Sequence, residues 1–484
     1  MNWSTGDDST GDGSLGTPFK TITRALEGAT AGGVIPAGST VQVAGGSSNV
    51  YRYTESSPGN PTGEIFPLQV VSDDITIIGS RTPKPMILVD AAAEGALFPS
   101  SVSNSAILVD GASGFRLERL DLATANFDLS TGTIPTGLKA LHLRDLPGSA
   151  SAATSVVDCS IDDFFHGIFV QDTSSADPGA REITIEDTSI SRCGPVYPTT
   201  DDAGHAGLRL LEATTTSMTL SVRDCIFRQN HDALEPGQAN LVLFDTVFDE
   251  NESGLEYAGV TGGSAVVKGC RFENHAPLDV GGVPGPTGGI YCRDIVDTSI
   301  VVRETEFVNN QLGASFRGLA ASVDNILDLG SGYAGTDENS PYGLTIPGQN
   351  TFTVDVTKPW PALDDDEVSY VGLFNSTNSP VLAIGNTWTY QVPEVDWLFD
   401  CNQGGLPDTA STPTTYTYPL GHVATLPAPY TTGVVGPGES FDSSTDFPFH
   451  RPIAPSTAPQ ERFNFSTGAN LDPTTPWPTI TIGQ

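Results

Sequence analysis

Between residues 156 and 307, apolar and polar positions alternate with period two in short runs, and the runs recur. Aligning residues 156–161, 185–190, 222–227, 243–248, 267–272 and 302–307 gives a column of Cys159, Thr188, Cys225, Thr246, Cys270 and Thr305. Two residues later comes a column of Ile161, Ile190, Phe227, Phe248, Phe272 and Phe307. Period two sends alternate side chains to opposite faces of a strand, so both columns are expected inside a coil as stacked ladders. Three residues further on, Asn230, Asn251 and Asn310 stand where a turn needs a residue that tolerates left-handed backbone geometry. A second strand is expected within each rung, at 167–170, 207–210, 233–236, 254–257, 289–292 and 313–316, with Val170, Leu210, Tyr257, Cys292 and Phe316 turned inward. Rung spacing is uneven, and the surplus is rich in Gly, Pro, Thr and Asp, as in loops that leave a stack.

Ahead of the repeat, Thr17 and Pro18 precede apolar Phe19, Ile22, Ala25 and Leu26, a helical spacing behind an N-cap and a first-turn proline. A short amphipathic helix there would shield the open end of a solenoid. Strand-like runs follow at 40–43, 66–71, 75–78, 106–109 and 115–120. The expected fold is all-β: a single-stranded right-handed parallel β-helix (β-solenoid) over residues 36–400, with an N-terminal cap at 1–35 and a short capping helix within it. An extended C-terminal arm rich in Pro, Thr and Ser occupies 401–484. It carries Tyr416, Tyr418, Tyr430, Phe441, Phe447, Phe449, Phe463, Phe465 and Trp477, too much aromatic surface to leave wet. The arm is therefore expected to be ordered, against its own stack or a neighbouring subunit.

Charge narrows the partners. Asp and Glu number 58 against 22 Lys and Arg, a net charge of -36, which disfavours DNA, RNA and anionic membranes. No run approaches the ~20 apolar residues of a membrane span, so no membrane insertion is expected. Met1, Asn2, Trp3 and Ser4 do not open a signal peptide as the sequence stands. Six cysteines are too few and dispersed for a disulfide scaffold, and no CxxC pair suggests zinc. Cys159, Cys225 and Cys270 share a ladder two rungs apart, ~9 to 10 Å, too far to bond, so they are expected as buried free thiols. Cys292 belongs with the core, while Cys193 and Cys401 have no assigned partner.

Candidate chemistry lies on the outward column of the second strand: Phe169, Arg209, Glu235, Glu256, Tyr291 and Ser315. With rungs ~4.8 Å apart, Glu235 and Glu256 could stand near the ~5 to 5.5 Å separation of a retaining glycosidase pair. Arg209, Glu235 and Glu256 are thus the candidate catalytic residues, and Tyr291, Arg293, Arg317 and His231 the candidate substrate-binding ones. His205 and Asp232 lie just before the strand. The carboxylate pair, with Asp232, could also hold calcium, although no fixed-spacing calcium loop is present. No other cofactor is expected, and the histidines lack metal-ligand spacing. The plainer alternative is a surface ion-pair ladder. A further outward column, Val157, Glu186, Arg223, Phe244, Lys268 and Arg303, is basic against the general trend. It either binds an acidic glycan or balances Asp158, Asp187, Asp224, Asp245 and Glu304 beside it, and the second is favoured because exposed ion pairs are common and weak. The acidic run at 364–367 reads as a solvated loop.

Several motifs together resemble a known group: Gly6-Asp-Asp8, residues 18–22, 63–68 and 75–79, then 327–330, 348–352 and 383–388. They are similar to secreted, pectate-lyase-like right-handed parallel β-helix proteins of a largely uncharacterised bacterial family, over roughly residues 6–392. The resemblance implies a fold and a secreted, extracellular or cell-surface location, and it carries no activity with it. Two function classes remain. One is a non-catalytic β-solenoid, a surface, adhesive or filament-forming structural subunit whose partner is another copy of itself. The other is a polysaccharide lyase or glycoside hydrolase that acts on an extracellular polysaccharide through Arg209, Glu235 and Glu256. The sequence leans to the first, because the combined Asn-Thr-Asp, Asp-Asp and Gly-His-Gly set of β-helix polygalacturonases is missing.

Overall fold

The computed structural model describes residues 1–354 apart from single residues and connecting segments, of which the longest are 91–103, 126–136, 195–205, 276–287 and 331–347; beyond 354 it describes short strands. Two compact units are present, residues 1–240 with 278–283 and residues 241–277 with 284–484. Each is built as a right-handed parallel β-helix with three sheets, the expected fold class.

In the first unit the first sheet stacks Thr40–Val43, Thr76–Gly79, Arg116–Glu118, Thr154–Val157, Arg181–Glu186 and Met218–Arg223. The third sheet, which carries the site, stacks Leu68–Val70, Ser105–Asp110, Lys139–Arg144, His166–Gln171, Ala206–Leu211 and Asp232–Glu235. In the second unit the third sheet runs Ser253–Ala258, Gly288–Arg293, Leu312–Arg317 and Val371–Asn375. Two short pieces of the C-terminal arm join that unit's sheets: Tyr416–Tyr418 pairs antiparallel with Thr387–Tyr390, and Ile480–Thr481 pairs parallel with Val381–Leu382.

The inner ladders follow the period-two pattern. Cys159, Thr188, Cys225, Thr246, Cys270 and Thr305 are all buried, and the cysteines among them are free thiols. Each group donates to the carbonyl two residues back: Thr188 Oγ1 to Glu186 O at 2.8 Å, Cys225 Sγ to Arg223 O at 3.1 Å, Cys270 Sγ to Lys268 O at 3.4 Å. In the second unit the aromatic ladder stacks face to face, with ring centroids 4.6 Å apart for Phe248 and Phe272 and 5.3 Å for Phe272 and Phe307. Cys193 and Cys292 are buried and free, and Cys401, His205 and residues 364–367 lie outside the described residues.

Two local expectations are corrected. The cap helix is Ile22–Leu26 with Thr21 as N-cap, not a helix begun at Thr17 and Pro18. Its start is set by carboxylates: Asp8 accepts from the N–H groups of Lys20 and Thr21, and Glu64 from those of Ile22 and Thr23. Desolvation pushes the buried Glu64 carboxyl up to about 7, against the hydrogen bonds that hold its charge. Asn230, Asn251 and Asn310 are buried and do not carry the left-handed turn. That geometry falls one residue earlier, on Gln229, Glu250 and Asn309, with φ of 55°, 55° and 54°. The asparagine then turns inward and satisfies the backbone of the previous rung: Asn310 Oδ1 accepts from His275 N–H at 3.1 Å, and its Nδ2 donates to Phe272 O at 2.9 Å.

Candidate active site

The strands of the third sheet pack closely at Gly207, where a Cβ would stand 2.8 Å from the carbonyl oxygen of Ala233. One strand earlier the rings of His166 and Phe169 meet, with centroids 4.9 Å apart. On the next strands the matching register positions are Ala206 with Arg209 and Asp232 with Glu235. Asp232 is thus inside the strand rather than ahead of it, and close enough for its charge to act on Glu235.

Glu235 is the centre of the group. Its Oε2 lies 3.3 Å from Arg209 Nε, and its Oε1 is enclosed with no hydrogen-bond partner, although the side chain as a whole keeps 18% exposure. Desolvation pushes the carboxyl up to about 7; the Asp232 charge adds to this, while Arg209 and His231 oppose it. His231 Nδ1 sits 2.9 Å from Asp232 Oδ2, and Asp232 is itself buried. A carboxyl whose pKa burial raises, with one oxygen free of hydrogen bonds and a second carboxylate acting on it, can give and take a proton. Among the described residues no three His, Cys, Asp or Glu side chains are placed to hold a metal ion.

The repeat predicts Phe169 on the outer side, and the structure adds neighbours that the repeat does not point to. His142 and His166 lie 5.3 and 4.9 Å from the Phe169 ring, and Lys139 Nζ stands 5.1 Å over it. His142 is buried, bonded to Gln171 Oε1 at 3.1 Å, and held down to about 4, first by desolvation and then by Lys139. The register of Lys139 with His166 and of His142 with Phe169 is the signal that could have found them.

Of the remaining candidates, Glu256, Tyr291, Arg293 and Arg317 belong to the second unit. There Glu256, Tyr291 and Ser315 are in register, as are Arg293 and Arg317. The outward column is not open to water at every position: Phe169, Tyr291 and Ser315 are 7%, 4% and 0% exposed, and Ser315 Oγ has no partner.

A family model described as a protein of unknown function (DUF1565) matches residues 4–116. No curated protein matches the chain. Among solved structures the chain is similar to the crystal structure of native GH136 lacto-N-biosidase from Eubacterium ramulus, with 13% identity and a TM-score of 0.30. That alignment covers 79% of this chain and 66%, just under two thirds, of the other.

Proposed function

We propose that this protein is a glycoside hydrolase of extracellular glycans, with Glu235 as its general acid. The observation that carries the proposal is the enclosed, unpartnered Oε1 of Glu235 beside Arg209 and Asp232. Leaving a carboxyl oxygen buried and unbonded costs on the order of 1–3 kcal/mol. Tyr257 OH and His275 Nε2 are also enclosed without a partner, but Glu235 Oε1 belongs to an acid set beside a second carboxylate and a guanidinium, an arrangement that favours a functional site.

In the proposed reaction Glu235 protonates the glycosidic oxygen, the bond from that oxygen to the anomeric carbon breaks, and water adds at the carbon. The water's proton passes to a carboxylate, and Asp232, held by His231, is the nearest available. Three strand residues span at most ~10 Å at ~3.3 Å each, which admits the ~6.5–9.5 Å carboxyl spacing of an inverting hydrolase. Arg209 keeps Glu235 oriented and moderates its acidity. The non-catalytic solenoid favoured by sequence uses the same fold but gives the open oxygen no role.

The test is release of reducing ends from a panel of neutral and acidic polysaccharides. The wild-type chain is expected to cleave one of them, and Glu235→Gln to slow it by about 10²–10⁴-fold. Cleavage by both proteins at equal rates, or by neither, overturns the proposal.

A further inference from the structure

The first sheet carries a concave site at its N-terminal end, away from the third sheet and Glu235. A cavity of about 790 Å³ opens between the loop at residues 13–19 and the first two strands of that sheet, Thr40–Val43 and Thr76–Gly79. This volume is typical of small-ligand pockets, which span ~300–1,000 Å³. Alternation sends Val41, Val43 and Ile77 inward and leaves Thr40, Gln42 and Ile78 on the outer side, where they line the cavity. Gln42 and Ile78 are register partners, and Leu15, fully exposed, faces them from the loop.

Charge decides what the cavity can hold. Among the described residues no Asp or Glu lines it, although the chain has 58 of them. Two arginines do, Arg81 and Arg119. Arg81 is exposed, and among the described residues its side chain has no ion-pair partner. Arg119 is held in place: its Nε donates to the Gly79 carbonyl at 3.1 Å, and its Nη1 meets Glu118. Glu118 also takes Arg116, whose Nε lies 2.8 Å away, so one carboxylate serves two guanidiniums and the local surplus is positive. Physiological salt screens charges more than ~8 Å apart, so groups at the cavity outweigh the chain's total of -36 in selecting a ligand.

The remaining lining fits a particular kind of anion. A hydroxyl at Thr40, an amide at Gln42 and aliphatic surface at Leu15 and Ile78 suit a molecule that joins a carboxylate to hydroxyls and C–H faces. A uronic acid residue has that composition. We propose that this cavity binds a uronic acid residue of a glycan, its carboxylate on Arg81 and Arg119 and its hydroxyls on Thr40 and Gln42. The site stands apart from Glu235 and does not depend on that residue being catalytic.

The experiment is calorimetric titration of the full-length Glu235→Gln chain with three probes: digalacturonate, lactose, which has hydroxyls without charge, and succinate, which has charge without hydroxyls. Digalacturonate is expected to bind at least tenfold more tightly than the other two, and more weakly as salt rises. Arg81→Gln should cut its affinity at least tenfold with Tm unchanged, and Arg81→Lys should be intermediate because a lysine keeps the charge but loses the fork. Thr40→Ala should weaken binding about two- to tenfold, the worth of one hydrogen bond. No binding of digalacturonate, binding of lactose or succinate as tight as its own, or unchanged affinity in Arg81→Gln overturns the site. Because binding rather than cleavage is read, absence of hydrolysis by the wild-type chain bears only on Glu235.

Discussion

Two columns cross the same rungs of the first unit and differ in every respect that matters. Inside, Cys159, Thr188 and Cys225 are buried, and each donates to a carbonyl two residues back, so nothing polar is left over. Outside, Phe169, Arg209 and Glu235 occupy positions that alternation assigns to water, yet Phe169 is 7% exposed and Glu235 keeps an enclosed oxygen with no partner. The inner column is complete and the outer one is not. In these rungs the inner column needs no ligand to complete it, whereas the outer one holds an oxygen that a ligand could satisfy.

The sharpest way to break the contrast is to make the interior incomplete. Asn310→Ala would strip His275 N–H and Phe272 O of their partners in a buried corner. At about 1–3 kcal/mol for each orphaned group, partly relieved by relaxation, the loss should be about 2–4 kcal/mol in denaturant unfolding. A loss below about 1 kcal/mol would mean that the corner asparagines are not what satisfies the backbone there.

A smaller effect is expected from Glu235, and it should depend on pH. Burial raises its folded-state pKa to about 7, above the ordinary value of 4.5, so between these limits the folded chain holds a proton that the unfolded chain has released. Stability should therefore fall as pH rises through that window, with the full penalty present above pH 7. Glu235→Gln removes the titration, so the stability difference between pH 5 and pH 8 should shrink by about 1–3 kcal/mol, at ~1.4 kcal/mol per unit. Equal differences in both proteins would show that burial does not set this carboxyl's state. If the chain is the proposed hydrolase, its rate should fall as pH rises through about 7, where Glu235 of the folded chain loses its proton.

The sequence made the coil and its interior legible because inward positions obey a short period, and a period of two cannot slip without exposing every apolar side chain. The inward places of Cys159, Tyr257 and Cys292 could all be read this way. The corners were less legible: turn geometry depends on which of two adjacent residues takes positive φ, and Asn230 looked as suited to it as Gln229, which does. The outer side was legible only as a column of names. Alternation tells which face Glu235 occupies, but not whether an oxygen on that face has a partner, and not that Asp232 within the same strand acts on it. Those facts arise from side-chain placement, which carries no period.

The smallest expected effect probes why cysteine and threonine alternate in one ladder. The two residues have similar volume, and each offers a short donor that can reach back to the carbonyl before the left-handed turn. Thr246 Oγ1 does so to Phe244 O at 2.8 Å, and Cys270 Sγ to Lys268 O at 3.4 Å. Burial pushes the Cys270 thiol up to about 12, so it remains a protonated donor at neutral pH. If the donor is what the position requires, Cys270→Thr should change stability by less than about 1 kcal/mol, because it supplies a stronger donor of nearly the same size. Cys270→Val keeps the size and β-branching of threonine but has no donor, so it should be less stable than Cys270→Thr by about 1 kcal/mol. Urea unfolding of the two variants measures the difference directly. Were valine equal to threonine, the column would be defined by volume alone, and the contrast between this completed inner column and the uncompleted outer one would lose its inner half.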